Sequence, residues 1–491
     1  MEIYDNEEED RLYFEQQESN ATFAQIQRRT KQSVLPKVVE AYMRSAEEVS
    51  LYNPVPSAVS FYTLLGQICK DMVSIPHGRR IDDTRIQFLW MQTSGTGKST
   101  LYDFFGPVSR LTFDLINDKH GTDFDIFSVK DTTDAALVGS MGTEFEEEED
   151  EAGNMVRRQV AIQIDGALEG NGLAAYDEFE YSGVFKQSQH KENVVMYLNT
   201  FMNSLHGENW IITKKLKDGD TIECRCRRSL FATTYIPKSL TGVIAEKGVI
   251  QRCLIYIREV PQTIQDELRD AILSEVGTIS NRDLPITKFA NNFVKMYDIL
   301  KEHYDENGQN PLTTVKFGEG VIDALKNESW KMRNYVASAR PEVFGIASNF
   351  ITRLNGTLIR MAVLSAIAEA PSITDKSKRF IVTEKNVRQA SFLVRQCYQS
   401  LVSWLDTALK VQSSGLQNKA NYGAFRKVYL GMKKGDDEWV NKTAMLEQVR
   451  KTTSKGQATV YRWFNDLGDK FETKMIGRRA YVRLMEAKNN E

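Results

Sequence analysis

The most constraining feature of this 491-residue sequence is an apolar run that leads directly into a loop of small residues. Residues 88–92 read Phe-Leu-Trp-Met-Gln, and residues 93–100 read Thr-Ser-Gly-Thr-Gly-Lys-Ser-Thr. The run predicts a buried strand, and the following residues predict a turn and then a helix that begins near Ser99. A strand, a glycine loop and a helix in this order direct successive backbone N–H groups at one point. The sequence therefore predicts an anion site at this turn.

The loop contains the residue types that the phosphates of ATP and a Mg²⁺ ion require. Gly95 and Gly97 let the backbone curl, Lys98 supplies a cation for the β- and γ-phosphates, and Ser99 offers a hydroxyl to Mg²⁺. The alternative is a chance Gly/Ser loop before a helix. The first position of the eight-residue pattern, usually Gly, is Gln92 here. The expected nucleotide-binding residues are Ser94, Gly95, Thr96, Gly97, Lys98, Ser99 and Thr100.

A second segment, about 80 residues further along, has the complementary chemistry. Residues 172–176 form an apolar run that is followed by Asp177 and Glu178. Such a run predicts a buried parallel strand, and ligands of open α/β sheets bind at the carboxyl ends of these strands. We expect Asp177 to hold Mg²⁺, directly or through water, and Glu178 to polarise the attacking water as general base. The two segments together predict an ATP hydrolase.

The residues that follow predict a basic hairpin. Residues 210–228 alternate around Asp218-Gly219, which is the strongest short-range signal for a β-hairpin. Lys-rich arms suit contact with nucleic-acid phosphates, although an ordinary solvated hairpin is the alternative. The expected contacts are Lys214, Lys215 and Lys217.

Two further positions have the chemistry of a phosphoryl-transfer site. Thr233 and Thr234 end the next apolar strand, where a hydroxyl can sense the γ-phosphate or position water. Arg252 directly precedes another apolar strand. A cation there can reach across a subunit boundary and neutralise transition-state charge, as arginine fingers do.

The order of these parts resembles that of the AAA+ ATPases, and specifically the minichromosome-maintenance (MCM) type of replicative helicase, over residues 86–400. Gly166-Ala167-Leu168 followed by Asp177-Glu178-Phe179 is similar to that family's segment before its second nucleotide motif. The basic hairpin is placed like its pre-sensor hairpin, Thr233-Thr234 like its first sensor, and Gln251-Arg252 like its Arg finger. Residues 352–362 are similar to the helix whose first Arg is the second sensor, which implies that role for Arg353.

The resemblance implies an α/β fold with an AAA+ P-loop core, a parallel sheet and a helical lid region. If Arg252 completes a neighbour's site, a ring follows, which we expect to be a hexamer. The pattern is also similar to the ATPases associated with primases in phage, virus and plasmid replication proteins, which implies an origin in a virus, phage or other mobile element. Three features depart from the family. We expect the segment before residue 86 to be too short for its N-terminal oligonucleotide-binding and zinc tier, and the first sensor is Thr rather than Asn. Residues 144–151 hold seven acids in eight positions, which predicts an exposed hairpin tip or a disordered insertion.

The C-terminal segment has a composition of its own. Residues 419–491 contain sixteen Lys or Arg against nine Asp or Glu, a net of +7, which suggests a polyanionic partner. Helix, turn, helix and a basic two-stranded wing at Gly477 resemble a winged helix. Such a domain binds DNA or docks on a protein, and both interpretations stay open. The expected DNA contacts are Lys455, Arg462, Arg478 and Arg479.

Composition and segment boundaries complete the prediction. With 41% hydrophobic and 26% charged residues the chain is typical of globular proteins, and neither a signal peptide nor an eighteen-residue apolar run is found. We expect an intracellular soluble protein at a cytoplasmic, nucleoid or nuclear replication site. Five cysteines without metal-ligand spacing predict reduced thiols. The expected segments are an acidic disordered tail (1–34), a helical segment (35–85), the ATPase core (86–260), a helical lid and linker (261–410), and a winged helix (419–491).

These observations predict an ATP-driven ring-shaped DNA helicase. Its expected partners are DNA, further copies of the chain, and replication proteins such as a primase or polymerase, with no membrane. The alternative is a regulatory or loader ATPase that binds DNA and recruits replication proteins without unwinding. A nucleotide-binding scaffold without hydrolysis is a third possibility, against which Asp177 and Glu178 argue.

Overall fold

The structure is a computed structural model, and it divides the chain into two compact units, Met1–Leu405 and Asp406–Glu491. The expected disordered tail lies outside the described residues, except for residue 34. The described residues are 34–47, 53–129, 134–149, 155–176, 179, 192–207, 209–215, 221–236, 250–274, 283–432, 439–453, 456–467, 470–477 and 479–485.

The first unit alternates helices and strands up to residue 258 and is mainly helical after it. Its elements up to that point are α1 (Lys37–Glu47), α2 (Pro54–Cys69), β1 (Ile75–His77), β2 (Arg80–Asp82), β3 (Phe88–Gln92), α3 (Lys98–His120), β4 (Phe124–Val129), α4 (Asp134–Val138), β5 (Gly139–Glu149), β6 (Met155–Asp165), β7 (Gly170–Tyr176), α5 (Glu192–Phe201), β8 (Ile211–Lys215), β9 (Thr221–Thr234) and β10 (Leu254–Arg258). The later elements are α6 (Gln262–Ser274), α7 (Asp283–Glu306), β11 (Lys316–Phe317), α8 (Val321–Ala339), α9 (Phe344–Glu369), β12 (Ile381–Val382) and α10 (Glu384–Met432), which extends into the second unit.

A parallel sheet with the strand order β10-β3-β9-β7-β4 forms the centre of this unit. All five residues of β3 are buried, as are the last six of β7 and the last seven of β9, because a parallel sheet is covered on both faces. The predicted α/β class with a parallel central sheet is therefore confirmed.

The order of the strands creates a switch point beside β3. From β3 the chain crosses to β4 at one edge of the sheet, and from β9 it crosses back to β10 at the other edge. The connections that leave the neighbours β3 and β9 thus run in opposite directions. Open α/β sheets bind ligands outside the carboxyl ends of strands at such a point.

Helices α1 and α2 belong to the same hydrophobic core as the sheet. Residues 55–69 of α2 are all buried, and α2 contacts β3, β7 and β9. Tyr42 packs within 5.4 Å, centroid to centroid, of the rings of Phe61, Phe104 and Phe289, which lie on α2, α3 and α7. Burying one large side chain of this kind stabilises a fold by roughly 1.5–3 kcal/mol. This aromatic cluster therefore fixes α1 to the elements that surround the glycine loop.

Two antiparallel ribbons extend the sheet region. β8 pairs with the first residues of β9, from Ile211 opposite Arg225 to Lys215 opposite Thr221, which confirms the predicted hairpin. β5 pairs with β6 over eleven residues on each strand. Residues 144–149 of the acidic run lie on β5, while residues 150 and 151 lie outside the described part of the chain. The sequence predicts an exposed hairpin tip or a disordered insertion for the acidic run, but its residues 144–149 lie along a strand of the β5–β6 hairpin.

Helices account for most of residues 262–405, as the sequence predicts. One segment among the described residues, Pro341–Ser372, is long and apolar enough to cross a membrane by length and composition. However, 67% of its most apolar window is buried inside the protein, which is typical of the core helix of a soluble protein.

The second unit has its own hydrophobic core. After α10 it contains β13 (Val440–Asn441), α11 (Lys442–Thr453), α12 (Gln457–Asp466), β14 (Phe471–Ile476) and β15 (Arg479–Leu484). The sheet has the order β13-β15-β14, and its core includes Phe425, Met445, Phe464 and Val482. The sequence predicts a linker at residues 411–415. This prediction is wrong, because the backbone of this segment is helical and belongs to α10.

Candidate functional site

The glycine loop has the backbone geometry that an anion cradle requires. Gly95 and Gly97 have φ angles of 70° and 88°, in the left-handed region that side-chain-bearing residues rarely adopt. α3 begins at Lys98 directly after Gly97, whose carbonyl oxygen accepts the first helical hydrogen bond from Leu101. The positive end of a 23-residue helix thus lies at the loop, which favours a bound anion.

The loop forms one wall of a cavity of about 190 Å³ at the switch point between β3 and β9. Its other wall consists of Thr234 and Tyr235, at the end of β9. Lys98 of the first wall approaches the second, with its Nζ 5.1 Å from the centre of the Tyr235 ring. The same Nζ donates to the carbonyl oxygens of Gln92 and Thr93 at 2.8 and 3.1 Å. The predicted residues 94–100 all line this cavity.

Thr234 is the residue of β9 whose surroundings most clearly suggest a ligand. Its side chain is 1% exposed, and its hydroxyl oxygen has no hydrogen-bond partner among the residues that the structure describes. A buried hydroxyl without a partner destabilises a fold by roughly 1–3 kcal/mol. Thr233 is also buried but does not line the cavity. Of the two predicted sensor residues, Thr234 therefore lies where a phosphate or a water would be contacted.

Gln92 braces the loop, a role that the sequence analysis missed. The side chain is fully buried, and its Nε2 lies 2.9 Å from Asn53 Oδ1 and 2.8 Å from Thr96 Oγ1. Its Oε1 accepts a hydrogen bond of 3.0 Å from Trp90 Nε1, and Asn53 Nδ2 donates to the Thr96 carbonyl at 3.0 Å. The departure from Gly at the first loop position was the available signal. Gln92 thereby ties the loop to β3 and to the start of α2.

β7, the strand that precedes the two predicted acids, ends on the same side of the sheet as β3, where the loop lies. Tyr176, the last residue of β7, lies opposite Ala232 of β9, and Met91 of β3 lies opposite Thr234. Since neighbouring strands are about 4.8 Å apart, the ends of β3 and β7 are separated by roughly 10 Å. Asp177 and Glu178 follow Tyr176 directly in the sequence and lie outside the described residues.

The residues present fit a Mg²⁺–triphosphate. Ser99 is exposed on the first turn of α3 and lines the cavity, while Lys98 and the loop N–H groups are donors for phosphate oxygens. Among the described residues no group of three or more His, Cys, Asp or Glu could hold a metal ion. Mg²⁺ in such sites binds through one or two carboxylates together with substrate phosphates, so a dedicated protein cage is not required.

Arg252 lies near the amino ends of the sheet strands, whereas the loop lies at their carboxyl ends. It ends a short 3₁₀ turn, Ile250–Arg252, two residues before Leu254, which pairs with Phe88 at the first residue of β3. The loop follows the last residue of β3, and a strand of five residues spans roughly 15 Å. This distance exceeds the length of an arginine side chain, so Arg252 cannot reach the loop of its own chain.

A large basic cavity surrounds Arg252. Its volume is about 860 Å³, and Arg79, Arg80 and Arg353 line it together with Arg252. Arg252 donates to the side chain of Asn199, and burial together with the charges of Arg353 and Arg80 lowers its pKa. Arg353, predicted as the second sensor, is thus beside the predicted Arg finger and does not line the loop cavity.

The basic hairpin presents fewer cations than its sequence suggests. Lys215 is exposed, and half-buried Lys214 has its Nζ 3.5 Å from the carbonyl oxygen of Gly139. Arg228 is buried and paired with the carboxylate of Asp125, so it acts as a structural residue. Lys217 lies outside the described residues.

The predicted contacts of the second unit are only partly described. Arg479 is exposed at the start of β15, and Arg462 lies on α12, with its side chain outside the described part. Lys455 and Arg478 also fall outside it.

Comparison with known proteins adds no assignment. No protein-family model matches the sequence. No curated protein matches it either.

Proposed function

We propose that the first unit is an ATP-hydrolysing P-loop domain of the AAA+ type. The observation that carries this proposal is the cavity at the switch point, where the glycine loop and Lys98 lie opposite the buried hydroxyl of Thr234, which has no hydrogen-bond partner in the described part of the chain. The first wall offers donors for phosphate oxygens, and the second offers a polar group for the γ-phosphate or its attacking water. Two independent segments thus supply complementary groups to one small space.

The roles of the residues follow from their positions. The loop N–H groups and Lys98 bind the β- and γ-phosphates, and Ser99 and Asp177 hold Mg²⁺, which supplies charge neutralisation when it is bound. Glu178 accepts a proton from the attacking water, and Thr234 orients that water or the γ-phosphate. Gln92 holds the loop in its curled form through Asn53 and Thr96.

The opposite placement of loop and Arg252 supports assembly into a ring. The nucleotide loop lies at the carboxyl ends of the strands and the cation site lies at their amino ends. Head-to-tail contact between identical copies would bring the cation site of one copy to the nucleotide loop of the next. Such heterologous contacts close into rings when the rotation permits it. We therefore propose a ring, with six subunits as in the family that the sequence resembles, and Arg252 and Arg353 as residues that act on the neighbouring nucleotide.

Helicase activity is the function that this arrangement supports best. The β8–β9 hairpin carries Lys214 and Lys215 and begins at Ile211, which lines the cavity around Arg252, so hydrolysis at a subunit boundary can move the hairpin along DNA phosphates. The second unit has helices α11 and α12 and the sheet β13-β15-β14, which favours a winged helix. Its proposed DNA contacts are Lys455, Arg462, Arg478 and Arg479.

A loader or regulatory ATPase is the second candidate, and two observations favour it. The β5 strand contains residues 144–149, five of them Glu, which repel DNA. The hairpin also commits Arg227 and Arg228 to ion pairs with Asp71 and Asp125. Both features reduce the positive charge available for a translocating contact.

Assays of ATP hydrolysis and of forked-duplex unwinding test the proposal. Wild-type protein is compared with Lys98→Ala and Glu178→Gln, which remove the phosphate cation and the proposed base. We expect hydrolysis and unwinding in the wild type and the loss of both in each variant. If the wild-type protein hydrolyses ATP but leaves the forked duplex intact at every salt concentration tested, the result would favour the loader. Hydrolysis that is insensitive to Lys98→Ala would refute the ATPase site.

A further inference from the structure

The cavity around Arg252 contains two cations that neither the motifs nor the resemblance assigns. We propose that Arg79 and Arg80, on the β1–β2 hairpin, are part of a site for the phosphates of a nucleoside triphosphate held on the loop of a second copy of this chain. The inference rests on the proposed function, and it adds a new element to the subunit boundary.

The hairpin holds these residues in a defined position. β1 pairs with β2 from Ile75 opposite Asp82 to His77 opposite Arg80, and Gly78 makes the turn with φ of 60°. Arg79 follows at the tip, is exposed, and makes no ion pair with any described residue. Its guanidinium group is therefore available to an external anion.

Asp82 connects the hairpin to the helix that bears Arg353. Its carboxylate accepts a hydrogen bond of 3.1 Å from Arg80 Nε and lies 3.4 Å from Arg360 Nη2, on α9. Arg353 lies two turns earlier on the same helix. Asp82 thus links the hairpin that bears Arg79 and Arg80 to the helix that bears Arg353.

The charge of the cavity favours an anionic occupant. The described lining residues include four arginines and His206 and no Asp or Glu. Like charges at this density repel one another, and after burial, which is the larger cause, the charges of Arg353 and Arg80 lower the pKa of Arg252. Arginine binds phosphate through two parallel N–H donors, so a cluster of guanidinium groups is suited to a polyphosphate.

The size of the cavity favours a nucleotide over a long polyanion. A volume of about 860 Å³ lies within the range of roughly 300–1,000 Å³ that is usual for small-ligand pockets. The loop cavity, at about 190 Å³, is below that range, so a nucleotide bound there extends beyond the described residues of its own chain. A second copy that presents the basic cavity encloses the protruding part, as the heterologous contact requires.

The primary variant is Arg79→Ala, because it leaves no described carboxylate unpaired, and Arg80→Ala is the second. The matched control is Arg388→Ala, an exposed arginine on α10 that pairs only with Glu384 among the described residues. We expect Arg79→Ala to lower kcat for ATP hydrolysis roughly a hundredfold to a thousandfold, as removal of a transition-state donor does, with Arg79→Lys in between. The control should keep the wild-type rate.

Mixed assemblies distinguish the source of the triphosphate. Lys98→Ala subunits have a defective loop and an intact cavity, whereas Arg79→Ala subunits have the reverse, so equal mixing should restore part of the hydrolysis. No restoration would overturn the action in trans. A second equivalent of adenylyl imidodiphosphate bound per chain and lost in Arg79→Ala would place free nucleotide in the cavity and overturn the assignment to a neighbour.

The failure of the inference and that of the proposed function give different results. Lys98-dependent hydrolysis with a wild-type rate in Arg79→Ala overturns the inference and leaves the ATPase intact. The absence of Lys98-dependent hydrolysis overturns both.

Discussion

Replacement of Thr234 by Val should make the nucleotide-free protein more stable and the enzyme less active. Valine has nearly the shape of threonine but lacks the hydroxyl, and the Thr234 hydroxyl is buried without a partner among the described residues. Removing an unsatisfied buried hydroxyl should relieve its desolvation penalty of roughly 1–3 kcal/mol. We expect the free energy of unfolding without nucleotide to rise by about 1 kcal/mol, the lower end of that range, because the new methyl group must fit the same space.

The effect on activity should have the opposite sign. If Thr234 contacts the γ-phosphate or its attacking water, its removal should lower kcat roughly tenfold to a thousandfold. The stabilisation by ATP and Mg²⁺ should also shrink. Thr233→Val is the matched control, since Thr233 is equally buried, has an interaction partner and does not line the loop cavity. This control should destabilise the fold by about 0.5–1.5 kcal/mol and leave kcat nearly unchanged.

Urea denaturation with and without nucleotide measures the first effect, and steady-state phosphate release measures the second. A Thr234→Val protein that is less stable without nucleotide would show that the hydroxyl has a partner in the folded state. A variant with wild-type kcat would remove Thr234 from the reaction site. Either result would refute the reasoning that assigns the buried hydroxyl to a ligand.

Three other predictions concern the loop, the pH dependence and the hairpin. Gln92→Gly restores the usual loop pattern but leaves Trp90 Nε1 and Asn53 without their buried partner, so urea denaturation should show a loss of about 2–4 kcal/mol. Arg85 beside the buried Asp83 lowers the pKa of that carboxyl from 3.8 to about 2, against the effect of burial. Because the folded pKa is the lower one, its contribution of about 2 kcal/mol should be complete above pH ~4 and be lost as the pH falls towards 2, which denaturation at successive pH values measures. Replacement of Lys214 and Lys215 by Ala should reduce the slope of log K against log salt for DNA binding by about 1–2, and an unchanged slope would exclude them as phosphate contacts.

The sequence determined the features that depend on neighbouring residues. An apolar run, two glycines and a lysine specify a strand, a left-handed turn and a helix start, and the structure has Gly95, Gly97 and Lys98 in these positions. The Asp-Gly pair with alternating arms specified the β8–β9 hairpin in the same way. These signals are local because turn geometry and strand alternation are set by the residues themselves.

The order of the strands was decided by the tertiary structure. Nothing in the local sequence specifies that β9 lies between β3 and β7, and this placement brings Thr234 to the loop. The same holds for Arg228, which reads as a surface cation in a Lys-rich hairpin but is buried against Asp125. The carboxylate that decides its role is 103 residues away in the sequence.

The basic cavity shows most clearly what a local sequence pattern cannot predict. Arg79, Arg80, Arg252 and Arg353 come from segments that are far apart in the chain, and only their packing around one space makes them a cluster. A motif gives the chemistry of consecutive residues, whereas a cavity depends on which faces of distant helices and strands are buried against each other. The sequence thus specified the glycine loop of the proposed reaction site. Only the tertiary structure assembled the arginine cluster, which lies at the amino ends of the sheet strands.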